Sequence, residues 1–171
     1  MYLTPFATIF PTQGQQETRV ITTRGYPGLP DDEYALVEAY CADPKCDCRR
    51  VMLNVLGRHQ GDRYLAAVGF GFDRDSVLAG PYLDPLNRQS QYAGTLFSLV
   101  EQILDNPDYV ARLQSHYGQV KRASADPRDP AYEIIREIRL IQQGSPGSPG
   151  RPAAAARRPA ASARKKKRRQ R

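Results

Sequence analysis

The sequence predicts an α+β domain, in which an antiparallel β-meander of about four strands is followed by about three helices and a disordered basic C-terminal tail. β-Branched or alternating runs, separated by short polar loops, fill the first half of the chain. From residue 92 the apolar residues change to helical spacing. Strands and helices that are segregated along a chain indicate the α+β class.

Four segments carry the strand signals: ETRVITTRG (17–25), EYALVEAYC (33–41), RRVMLNVLG (49–57) and RYLAAVGFGF (63–72). The loops between them are too short for helical crossovers. Strands that are neighbours in sequence are therefore expected to pair antiparallel.

Three helices are predicted after the strands. The first begins near Tyr92 and ends at the DNP stretch of residues 105–107, and the second runs from Pro107 to about Val120. The third is DPAYEIIREIRLIQQG, with Asp129 as its N-cap and Gly144 at its C-terminal end. Its predicted inward stripe is Ile134, Ile135, Ile138 and Ile141.

Composition divides the chain into a folded domain, residues 1–143, and a tail, residues 144–171. The tail is rich in Pro, Ala and Gly, lacks aromatic and β-branched residues, and holds ten Lys or Arg with no Asp or Glu. It has nothing to bury and is expected to be disordered. Residues 1–143 keep 15 basic and 18 acidic residues, a net charge of −3, so the overall charge of +7 belongs to the tail.

The N-terminal residues lack the basic and apolar regions of a signal peptide, and no stretch approaches the ~20 apolar residues of a membrane span. Three cysteines in one short cluster fit a reducing compartment better than a disulfide framework. The expected location is therefore cytoplasmic, or nuclear if the source is eukaryotic.

All three cysteines lie in YCADPKCDCRRV, residues 40–51. If Cys41 ends one strand and Cys48 begins the next, the hairpin loop between them brings Cys46 to the other two. A compact group of thiolates suits Zn²⁺, and the two arginines that follow would offset its negative charge. The sequence thus predicts a zinc site at Cys41, Cys46 and Cys48.

The fourth ligand is open at this point. His116 is the preferred protein candidate, because a helix packed on the sheet can deliver it to the sheet face. The alternative is that His116 is a partly exposed helix histidine with no ligand role. Asp43, Asp47 and water are further candidates, whereas His59 is disfavoured because a straight strand would carry it about 35 Å away.

Other interpretations of the cysteines are thiols packed in a core, a disulfide with one free thiol, or a Cu(I) site. Catalysis has little support, since the chain has only two histidines and GFGFDRD (69–75) lacks the residues of a phosphate-binding loop.

The tail ends in RKKKRRQR. Its cations would attract nucleic acid through counterion release, without sequence preference. The residues concerned are Arg164, Lys165, Lys166, Lys167, Arg168, Arg169 and Arg171. Competing roles are solubilisation, contact with an anionic membrane and nuclear import.

Two functions follow from these features. The first is a small non-catalytic module stapled by a Cys-bound metal and attracted to nucleic acid by its tail. The second is a redox-active or metal-handling protein that uses an incompletely liganded cysteine cluster.

Overall fold

The computed structural model describes residues 3–144. The strands in this range are β1 (Leu3–Pro5), β2 (Arg19–Thr22), β3 (Glu33–Cys41), β4 (Arg50–Gly57), β5 (Ala66–Gly71) and β6 (Gly80–Leu83). The helices are α1 (Phe6–Ile9), α2 (Pro11–Glu17), α3 (Ala93–Leu104), α4 (Pro107–Ala125) and α5 (Tyr132–Gly144).

Strand β3 is the centre of a single antiparallel sheet. One of its edges pairs with β4 over six residue pairs. The other edge is shared, since β1 pairs with its C-terminal residues and β2 with its N-terminal residues. β4, β5 and β6 then follow in chain order.

The α+β class and the four-strand meander are confirmed by β2 to β5, and the three later helices by α3 to α5. The prediction lacked β1, β6, α1 and α2, which are all short. Pro5 and Pro11 interrupt the apolar residues of the N-terminal segment, and no helix is predicted there. Pro11 instead occupies the first turn of α2, where its missing N–H leaves no helical hydrogen bond unmade.

One face of the sheet carries the main core. Alternating β3 residues on this face, such as Tyr34, Leu36 and Tyr40, are fully buried together with Leu53 of β4 and Leu113 of α4. The opposite face has a smaller cluster of Ala39, Met52 and Ala67, against which Leu3 packs. The period of two along β3 therefore decides which side chains meet the helices.

The predicted inward stripe of the third helix is only partly correct. Ile135 is buried, but Ile134 is exposed and Ile141 is 70% exposed. α5 packs chiefly against α4 and not against the sheet. Only part of the predicted stripe is therefore buried. α5 begins at Tyr132, three residues after Asp129. The Asp129 carboxylate accepts from the Ala131 N–H in the turn that precedes the helix.

No helix within residues 3–144 is both long enough and apolar enough to span a bilayer. The predicted disordered tail, residues 144–171, lies outside the described residues except for Gly144, which ends α5. The division at residue 143 therefore stays a prediction.

The sheet core should be sensitive to the loss of one side chain. Leu53→Ala removes a fully buried leucine from β4 and should lower the free energy of unfolding by about 2–5 kcal/mol, because it leaves a cavity. Leu86→Ala makes the same chemical change at a side chain that is 92% exposed and should cost no more than about 0.5 kcal/mol. Urea denaturation of both variants is the measurement. Equal losses would contradict this description of the core.

Candidate metal centre

The three thiols meet at the loop between β3 and β4. Cys41 is the last residue of β3, while Cys46 and Cys48 lie in the loop that precedes β4. Their sulfur atoms all lie within 4.8 Å of one another, and all three cysteines are free thiols. The predicted clustering of the cysteines is confirmed. The group can hold a metal ion.

Backbone turns and a lysine fix the path of this loop. The Asp43 carboxylate accepts from the Lys45 N–H at 2.9 Å, and the Asp43 carbonyl accepts from the Cys46 N–H at 3.2 Å. Lys121 of α4 donates its ammonium to the carbonyl oxygens of Asp43 at 2.8 Å and Cys46 at 2.6 Å. The loop is thereby tied to the helical layer as well as to the sheet.

The thiols also shift one another's pKa values. A hydrogen bond from Cys48 lowers the pKa of Cys41. Burial opposes this shift, whereas the Asp43 N–H and the Lys121 charge add to it. The same hydrogen bond, together with burial, raises the pKa of Cys48. In the metal-free group, a thiolate at Cys41 is therefore stabilised by a thiol at Cys48. Metal binding would replace that proton with a cation.

Arg50 supplies positive charge beside the thiols, as the sequence suggested. Burial works against its charged form, but interactions with Tyr82, Cys48 and Cys46 outweigh burial and raise the pKa of Arg50. Its guanidinium is hydrogen-bonded to Tyr82. Tyr82 lies across Gly69, where an added Cβ would approach its ring to 2.2 Å.

The structure does not bring His116 to the thiols. Within residues 3–144, the group that can hold a metal comprises the three cysteines alone. Both ring nitrogens of His116 already have carboxylate partners, Glu38 on Nδ1 at 2.7 Å and Glu17 on Nε2 at 2.7 Å. The alternative of a partly exposed histidine does not hold either, because its side chain is only 1% exposed. His59 binds Asp32 near the end of β3 opposite Cys41.

His116 instead forms a second polar cluster, which links α2, β3 and α4. Besides its two carboxylate contacts, its ring stacks on Phe6 with centroids 4.0 Å apart. The Tyr40 hydroxyl donates to Glu38 at 2.8 Å. Sequence reasoning missed this cluster, although strand alternation in EYALVEAYC places Glu38 and Tyr40 on the same face. An acid on a core-facing strand position requires a buried partner, and that signal pointed to a histidine or cation from another element.

The carboxylates determine the protonation of His116. Burial disfavours its charged form, but the hydrogen bonds and charges of Glu38 and Glu17 outweigh burial and raise the pKa of His116. The imidazolium can donate to both carboxylates at once, whereas neutral imidazole can donate to only one. Protonated His116 therefore joins α2 to the core.

The fold and this site define a small α+β domain with a three-cysteine group at the end of its central hairpin. No protein-family model, curated protein or solved structure matches the chain.

The His116 cluster should make stability depend on pH. Because folding raises the pKa of His116, its contribution is fully present below the unfolded value of about 6.5 and is lost as pH rises through the folded value. At pH 6, His116→Gln should cost about 3 kcal/mol, since it leaves a carboxylate buried without its cation. The gap between wild type and variant should narrow towards pH 9 in urea denaturation.

His59→Gln is the matched control, because His59 also contacts a carboxylate but its side chain is 72% exposed. It should cost about 1 kcal/mol at most. A gap between wild type and His116→Gln that stays constant from pH 6 to pH 9 would show that the imidazolium does not contribute.

Proposed function

We propose that the protein is a small non-catalytic module in which Cys41, Cys46 and Cys48 bind one zinc ion, with a basic tail that attracts nucleic acid. The observation that carries the metal proposal is the approach of three sulfur atoms to within 4.8 Å of one another. Sulfur atoms bound tetrahedrally to Zn²⁺ at about 2.3 Å lie about 3.8 Å apart. Closing the group on the ion therefore requires small side-chain movements.

The donor set favours a soft or borderline metal. Thiolates prefer Zn²⁺ and Cu(I), whereas Mg²⁺ and Ca²⁺ prefer oxygen. Three thiolates on a divalent ion leave one net negative charge, and Arg50 and Lys121 lie close enough to act on the thiols. Zinc in such a site would contribute folding free energy.

Position in the fold supports a structural role. The group joins the end of β3 to the loop before β4, and Lys121 joins the same loop to α4. A metal bound there would cross-link the end of β3 to the loop that follows it. The three elements would then separate only after the metal is released.

A metal-handling or redox role is the second candidate. Cys46 and Cys48 are only partly buried, so reagents can reach them. The described residues also supply three ligands, whereas a closed structural zinc site has four. The coordination of the bound metal distinguishes the two roles.

Removal of one thiol should release the metal. Cys46→Ser should abolish stoichiometric zinc in protein purified without chelator. It should also remove the stabilisation that zinc gives the wild type, about 2.7 kcal/mol when free zinc is 100 times its Kd. Lys45→Ser, at an exposed side chain of the same loop, should retain stoichiometric zinc and the stabilisation that zinc provides. Metal analysis and thermal unfolding with and without chelator are the measurements. Wild-type protein that binds no metal and has three titratable thiols would refute the site.

The proposed nucleic-acid contact rests on charge distribution. The tail carries ten basic residues and no acidic residue, and residues 1–143 carry a net charge of −3. Its clustered cations, 164–171, lie outside the described residues. They would neutralise phosphates without reading bases.

Deletion of residues 145–171 should abolish binding to duplex DNA, whereas Cys46→Ser should leave binding nearly unchanged. Full-length protein should show no sequence preference, and log K should fall with log salt by about 0.9 for each phosphate neutralised. Fluorescence anisotropy across a salt series measures the affinity for DNA and the slope of log K against log salt. If the truncated protein binds as tightly as the full chain, the interface lies on the folded domain. If neither protein binds at moderate salt, the tail does not serve nucleic-acid binding.

A further inference from the structure

We infer that the cysteine group leaves a fourth coordination position open to a small zwitterionic thiol, of which cysteine is the simplest. This inference rests on the proposed metal site. It names the class of ligand that the site would take.

The chain offers few alternatives for the fourth ligand. No His, Asp or Glu within residues 3–144 joins the three thiols. The remaining residues, 1–2 and 145–171, contain no Cys, His, Asp or Glu. Both histidines have carboxylate partners away from the cysteines. An outside donor is the simplest way to complete a tetrahedral site.

A cavity of about 220 Å³ lies beside one of the thiols. Cys48 lines it, whereas Cys41 and Cys46 do not. An outside ligand would therefore approach the metal along the Cys48 side. The cavity is smaller than the ~300–1,000 Å³ typical of drug-sized ligands, so it suits a molecule of amino-acid size.

The charges on the cavity wall match an amino-acid head group. Arg49 and Arg50 line the cavity and can receive a carboxylate, while Asp47 and Asp73 line it and can receive an ammonium group. One carboxylate oxygen of Asp73 already accepts from the Asp75 N–H at 3.1 Å. Equal numbers of opposite charges favour a zwitterion over a simple anion.

One wall of the cavity is formed where the end of β5 packs closely against the loop that follows it. Gly71 ends β5, and a Cβ added to it would lie 2.0 Å from the Leu78 carbonyl oxygen. The loop that carries Asp73 can therefore approach the sheet only because residue 71 is glycine. The guanidinium of Arg50, another lining residue, is hydrogen-bonded to Tyr82.

The chemistry requires no oxidant or reductant. The incoming thiol loses its S–H proton to solvent, a water leaves the fourth position, and a metal–sulfur bond forms. The charge on each sulfur is compensated by the metal and the neighbouring cations. No electrons are transferred.

Cobalt-substituted full-length protein provides the test, because thiolate-to-cobalt absorption counts bound sulfur. Without added thiol, one equivalent of Co²⁺ should give the absorption of three thiolates. Added cysteine should raise it by about one third, as the fourth position fills with sulfur. Serine should have no effect, and 2-mercaptoethanol should require a higher concentration than cysteine because it lacks both charges.

Variants of the wall test recognition. Arg49→Gln should raise the cysteine concentration for half-saturation about fivefold, as expected for the loss of a charge-assisted hydrogen bond. Arg58→Gln, at the opposite end of β4 and paired with Glu33, should leave it unchanged. Equal half-saturation by cysteine and 2-mercaptoethanol would overturn the zwitterion assignment.

The outcomes separate this inference from the proposed function. If Co²⁺ binds with a three-thiolate spectrum that cysteine does not change, the metal site stands and the open position is overturned. If Asp47→Asn alone gains the response to cysteine, Asp47 closes the wild-type site, and the inference is again overturned. If Co²⁺ does not bind, both proposals fail.

Discussion

The pairing of β3 with β4 is the constraint on which the rest of the structure depends. β3 is hydrogen-bonded along both edges, and its register with β4 directs Tyr34, Leu36 and Tyr40 into the core. Cys41 lies at the end of β3 where the loop to β4 begins. Because side chains alternate between the two faces, a slip of one residue would expose that core and turn Cys41 away from its partners.

α4 joins two polar clusters to this hairpin. His116 binds Glu38 of β3, and Lys121, five residues later, binds the carbonyl oxygens of the cysteine loop. The His116 contact pairs a buried carboxylate that would be costly to leave unpaired, whereas the Lys121 contacts fix a loop at the surface. The helix therefore has two functions in the fold: it covers the sheet, and it fixes both the loop that carries the thiols and the strand before it. Its long range, Pro107–Ala125, allows one element to reach both clusters.

The proposed metal site and the proposed tail interaction would rest on different physical effects. The thiols are held by short-range geometry between β3, the loop and α4, whereas the proposed tail interaction would depend on charge that salt screens. A protein of this kind would combine a domain that is cross-linked by a metal with a salt-sensitive attraction for polyanions. The cavity at Cys48 would add a third property, a ligand position controlled by the side chains of Arg49 and Asp73.

The sequence by itself determined the α+β class, the four-strand meander, the three later helices and the clustering of the cysteines. These follow from local periodicity and from a hairpin that brings residues 41 and 48 together across a short loop. Tertiary structure decided the rest. His116 contacts Glu17 and Glu38, 99 and 78 residues away in sequence, and two of the four residues in the predicted α5 stripe are exposed. No local pattern encodes such partners, because the free energy of burying a charge depends on which distant group arrives beside it.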